Sequence, residues 1–205
     1  MTNRVRTLSP TIAHTQHWVA DMVVGLNLCP FARAELVNQR IRYALCASAD
    51  DEAVLQNLEA ELQLLQATPR AQTETTLIVC PQAWGDFFDM QLFLPHADAL
   101  LKRLGLRGEI QIAHFHPAFV FAGSADDDVA NYSNRSPYPT LHLIREDAIA
   151  RAAASMDDPD AIYEANIALL QRMGAAAIEQ RLAAARSSPS QLNPQGRHSR
   201  ASGNS

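Results

Sequence analysis

Three short β-type segments, Ile41 to Cys46, Thr75 to Cys80 and Ile110 to His116, alternate with helix-patterned stretches, and nothing else in the chain limits its fold so strongly. Strands joined through intervening helices return to the same edge of a sheet and therefore run parallel. Between the first two, Ser48-Ala49-Asp50-Asp51 supplies capping residues ahead of an apolar stripe of Val54, Leu55, Leu58, Leu62 and Leu65. Between the next two, Phe87, Phe88, Leu100, Leu101 and Leu104 anchor a helical region from Trp84, which Pro95 is expected to kink or divide and Gly105 to stop. A fourth β segment, Thr140 to Arg145, follows a long connection. The predicted fold is α/β: a small mixed or mostly parallel sheet of about four strands, flanking helices, and a C-terminal helical segment.

The flanks fit one domain over residues 11–186. Thr11 to Leu26 carries Val19, Met22, Val23 and Leu26 at helical spacing. Asn27-Leu28-Cys29-Pro30-Phe31 then breaks the pattern, and a proline at a first helical position predicts a short helix from Pro30 to Leu36 with Cys29 at its N-cap. Asp158-Pro159 opens a helix with Ile162, Asn166, Leu169, Leu170 and Met173 on one face, interrupted at Gly174 before Ala175 to Arg186. Residues 1–10 are read as a flexible N-terminus. From Ser187 the chain is too poor in apolar residues to pack, which predicts a disordered tail over 187–205.

Composition excludes several classes of function. A net charge of -5 and a pI near 5.8 offer no basic face for nucleic acid, and aromatics at 6% offer no base-stacking platform. No apolar run reaches membrane-spanning length. Three cysteines, an odd number with no Cys-x-x-Cys pair, together with a polar Met1 to Pro10, predict a reduced, cytoplasmic protein.

Polar chemistry concentrates in the 23 residues from Pro117 to Pro139. Structureless loops beyond about 12–15 residues are uncommon in compact domains unless functional or disordered. Here Arg135 is a candidate two-pronged anion ligand, with Asn131, Asn134, Ser136 and Tyr138 around it and Asn27 and Arg33 as further binding residues. The competing reading is an Ω-type loop in which Arg135 pairs with Asp126, Asp127, Asp128 or Glu146 as a staple. His114 and His116 share one face of a strand, so they offer two metal ligands that Asp126 or Asp128 would complete. Cys29 at a helix N-terminus would favour its thiolate, with His116 as the base beside it. Cys46 and Cys80 end apolar runs and are expected to be structural, as is His142.

With these residues in view, the chain resembles the bacterial "domain of unknown function 1415" family. The likeness rests on Gly25-Leu26-Asn27-Leu28-Cys29-Pro30-Phe31-Ala32, on His116-Pro117 with Phe119 and Gly123, and on Asn131 to Glu146, NYSNRSPYPTLHLIRE. The resemblance implies a soluble bacterial protein and no particular reaction. The leading functional expectation is an enzyme acting on a small anionic substrate, phosphate- or carboxylate-bearing, through a thiol, an imidazole and a guanidinium, without a cofactor. The alternatives are a metal-dependent hydrolase using His114 and His116, and a non-catalytic module binding an anion or a protein partner. The oligomeric state is left open.

Overall fold

The computed structural model describes residues 9–154 and 160–187. Helix α1 (Pro10–Trp18) runs directly into a π-helical turn, Val19–Val24. Then come α2 (Ala32–Val37), β1 (Ile41–Leu45), α3 (Asp51–Ala67), β2 (Thr75–Val79), α4 (Phe87–Arg103) and β3 (Ile110–Phe115). A 3₁₀ turn (Val129–Ser133) precedes β4 (Thr140–Arg145), and α5 (Glu146–Ala154), α6 (Asp160–Met173) and α7 (Ala175–Ser187) follow.

The sheet order is β1-β2-β4-β3. β1 and β2 pair in parallel, while β4 is antiparallel to both β2 and β3. So β1, β2 and β3 point the same way, and β4 is inserted between two of them in the opposite sense. The sheet is mixed, and the carboxyl ends of β1, β2 and β3 share one edge. Backbone bonding continues past the strand ends there: Cys46 N–H donates to Val79 O at 2.9 Å, and Cys80 N–H to Pro139 O at 2.8 Å.

Alternation along each strand divides the apolar residues between two layers. Ala44, Cys46, Ile78, Cys80, Leu141, Leu143 and Ile110 face α3 and α4, where Val54, Leu58, Leu62, Leu65, Met90 and Phe93 meet them. Leu77 and Phe115 face the other way, toward Trp18, Val19, Met22, Leu28, Leu170 and Ile178. Asp50 caps α3 by accepting from Ala53 N–H, and Asp86 caps α4 by accepting from Phe88 N–H. Arg145, 9% exposed, closes the other end of α3: its Nη2 donates to Leu65 O at 2.6 Å and Thr68 O at 2.8 Å. A cation there also complements the negative end of the helix dipole.

Several expectations are corrected. Helix α4 passes through Pro95 without dividing, and Gly105 (φ 70°) ends it as predicted. The first helix is α-helical only to Trp18. It then widens to π geometry, and the turn at Gly25 leaves no room for a side chain: a Cβ there would collide with Asp21 O. Helix α2 begins at Ala32 with Phe31 at its N-cap, so Cys29 lies in the preceding turn and not at a helix N-terminus. The predicted start of the sixth helix at Asp158-Pro159 and the tail beyond Ser187 lie outside the described residues. Among the described residues no helix is long and apolar enough to cross a membrane.

Candidate functional site at the carboxyl edge of the sheet

The Pro117–Pro139 loop is held by its own polar side chains. Arg135 Nε donates to Phe119 O at 3.2 Å, Nη2 to Asp126 O at 2.7 Å, and the guanidinium carbon lies 4.4 Å from the centre of the Tyr132 ring. The staple reading describes it, with the correction that its partners are backbone carbonyls instead of carboxylates. Asn131, fully buried, accepts from Phe121 N–H at 3.0 Å and donates to Ala125 O at 2.8 Å. Ser136 Oγ donates to Tyr138 O at 2.7 Å, and Tyr138 O–H meets His14 Nδ1 at 2.9 Å. Asn134 O accepts from His116 N–H at 3.3 Å, and its Oδ1 accepts from Ser133 Oγ. Asp128 accepts from Ala130 N–H and Ser124 Oγ. A long connection carries many backbone groups that must be paired, and these side chains pair them.

His116 is likewise committed. Ala118 N–H can only donate, so the ring's Nδ1 accepts from it at 3.0 Å. Nε2 must then carry the proton, and it donates to Trp84 O at 2.8 Å. Burial pushes the imidazole below its ordinary range, against smaller opposing effects from Trp84 O and Asp86. A neutral ring with both nitrogens engaged is a strut, not a proton shuttle. His114 shares its face; Phe87 contacts both rings, at 6.0 Å and 5.5 Å between centroids, and burial lowers His114 too.

The expected thiol–imidazole pair does not form. His116 turns toward Trp84 and Phe87 on the α4 side, whereas Leu28, next to Cys29, packs into the α1-side layer. Cys29 Sγ makes no hydrogen bond among the described residues, and Arg33 Nη2 donates to Val24 O at 3.2 Å, tying down the π turn. Asn27, at φ 57°, supplies the left-handed residue of that turn, a conformation asparagine tolerates well. Among the described residues no three His, Cys, Asp or Glu side chains gather closely enough to hold a metal ion.

What the sheet does bring together are Cys46 and Cys80. They follow the paired residues Leu45 and Val79 of two parallel strands, and both side chains point into the α3/α4 layer. The two thiols are close enough to influence each other, Ser48 N–H also reaches Cys46, and the Cys80 S–H points to Ile78 O at 3.8 Å. Interaction with the neighbouring Cys80 thiol, the largest influence, holds the Cys46 thiol down at about 6, against the penalty of burial. The same pairing, with burial, drives Cys80 upward. Of the two, Cys46 is the thiol that ionises first.

Trp84 roofs this edge. Its φ of 51° is a strained conformation for a bulky residue. Three contacts hold it there: indole Nε1–H donates to Asp51 Oδ1 at 2.8 Å, the carbonyl accepts from His116, and the ring lies 4.6 Å from that of Phe93. Backbone strain of this kind costs about 1–3 kcal/mol and collects at functional sites. Beside it an open crevice of about 400 Å³ is lined by Ala49, Asp50, Asp51, Trp84, Asp89 and Leu92. In α/β sheets ligands sit beyond the carboxyl ends of strands, which is where this crevice lies.

The fold is that of a small mixed α/β protein whose sheet sets Cys46 beside Cys80. Residues 10–180 match the family described as "Protein of unknown function (DUF1415)", and the chain belongs to that family. No curated protein and no solved structure matches it.

Proposed function

We propose that the protein is a thiol-dependent enzyme in which Cys46 is the nucleophile, acting on a small electrophilic substrate admitted at the crevice beside Trp84. The observation that carries this reading is the placement of Cys46 beside Cys80 at the ends of two paired parallel strands, both side chains in the α3/α4 layer, where the neighbouring thiol and Ser48 N–H hold the Cys46 thiol down. The thiolate is the reactive form, and donors aimed at the sulfur maintain it at neutral pH. The amino ends of α3 and α4 both lie just past these strands, and their dipoles act in the same sense. Of the expected thiol, imidazole and guanidinium, the thiol role is retained but moves from Cys29 to Cys46; His116 positions Trp84, and Arg135 shapes the loop. The expected small anionic substrate is revised to a neutral or cationic one, because Asp50, Asp51 and Asp89 line the crevice. The three unpaired cysteines support a reducing compartment, the cytoplasm.

Cys46 is only 4% exposed, so small reagents are the suitable probes. With Cys29→Ser removing a background thiol, the rate of Cys46 modification by methyl methanethiosulfonate, read by peptide mass spectrometry against pH, is expected to reach half its plateau near 6. An apparent value at the ordinary thiol position of about 8.5, or no reaction of Cys46 in the folded protein, overturns the proposal.

A further inference from the structure

We infer that Cys46 and Cys80 together form a two-electron dithiol–disulfide couple whose substrates are small organic disulfides. This rests on Cys46 being the nucleophile and adds a role for Cys80. Register is the main argument. Neighbouring strands lie about 4.7–4.9 Å apart, and disulfides join residues whose Cα atoms are about 4.4–6.8 Å apart. Cys46 and Cys80 directly follow the paired residues Leu45 and Val79, and the strands are still hydrogen-bonded there through Cys46 N–H and Val79 O at 2.9 Å. Both side chains enter the same layer, where each thiol influences the other. Neither has another thiol competitor on that edge, since Cys29 lies in the turn that packs on the α1 side.

The chemistry balances with the disulfide as oxidant. The Cys46 thiolate attacks one sulfur of R–S–S–R, forming a Cys46–S–S–R bond and expelling RS⁻. Cys80 then loses its proton to the departing thiolate, and its sulfur attacks Cys46. The protein disulfide forms, a second RS⁻ leaves, and two electrons have passed from the dithiol to the substrate. Cys80, fully buried, meets only a substrate already attached to Cys46, which makes it the resolving thiol. The acidic crevice favours neutral or cationic disulfides over dicarboxylates.

The test uses the full chain carrying Cys29→Ser, with hydroxyethyl disulfide as the probe. The expected product is a Cys46–Cys80 linked peptide after digestion without reduction, with both halves of the probe released as thiol. In Cys80→Ser the reaction stops with a mixed disulfide on Cys46 and one half released. A persistent adduct on Cys46 in the parent chain, with no linked peptide, overturns the couple while leaving Cys46 as nucleophile. No adduct on folded protein, under conditions where the urea-unfolded chain reacts, overturns both.

Discussion

Acid stability gives a quantitative handle on the interior of the sheet. His142 lies on β4, the strand inserted between β2 and β3, with Nε2 2.7 Å from Thr75 Oγ1. Thr75 gives its own hydroxyl hydrogen to Leu143 O at 2.6 Å, so it accepts from His142, whose proton therefore sits on Nε2. Burial beside Phe115 pushes the imidazole down from 6.5 to about 4. In the unfolded chain it titrates near about 6.5. Between those two values the unfolded state binds the extra proton, so folding stability is complete above about 6.5 and is lost progressively as pH falls toward 4. At about 1.36 kcal/mol per pH unit the loss is at most about 3 kcal/mol, the ceiling being reduced by the solvent contact His142 retains. His114 and His116 are depressed by burial as well and act in the same direction. Urea unfolding of the parent chain and of His142→Phe across pH 7 to pH 4 isolates the effect, since carboxylate contributions are common to both. The variant should show the shallower fall, whatever its stability at pH 7. Identical slopes would refute the reasoning.

Gly25→Ala should lower stability by about 2 kcal/mol or more, as overpacking against backbone does, because its Cβ would meet Asp21 O and that carbonyl cannot move without unwinding the π turn; urea midpoints measure it. Arg135→Ala should destabilise by about 1–3 kcal/mol and open the Pro117–Pro139 loop to protease, since Phe119 O and Asp126 O lose their donor. Its rate of Cys46 modification should stay unchanged; a selective loss of that rate, with the loop intact, would return Arg135 to substrate binding.

Much of the architecture was legible because local pattern encodes it. The β segments ending at Cys46, Cys80 and His116, the caps at Asp50 and the stop at Gly105 all depend on neighbours in sequence. Strand order does not, and the antiparallel insertion of β4 left no local mark. The widening after Trp18 was hidden because a π turn preserves the apolar stripe through Val19 and Met22. At the site, the density of donors in Asn131 to Tyr138 was real, but a long connection must first satisfy its own carbonyls, and it consumes them. The proposed thiol pair was not legible for a related reason. Cys46 and Cys80 look like two unrelated apolar terminators until parallel register sets them side by side. The one available cue was that both close a β segment just ahead of an acid-capped helix.

Direct titration of the thiols tests the central claim most sharply. In the chain carrying Cys29→Ser, ultraviolet thiolate absorbance should rise by one thiolate with a midpoint near 6, and the second should not appear until well above the ordinary thiol range. Cys80→Ala should move the first midpoint upward, because it removes the thiol whose interaction holds Cys46 down. Two thiols ionising together near about 8.5 would contradict the account.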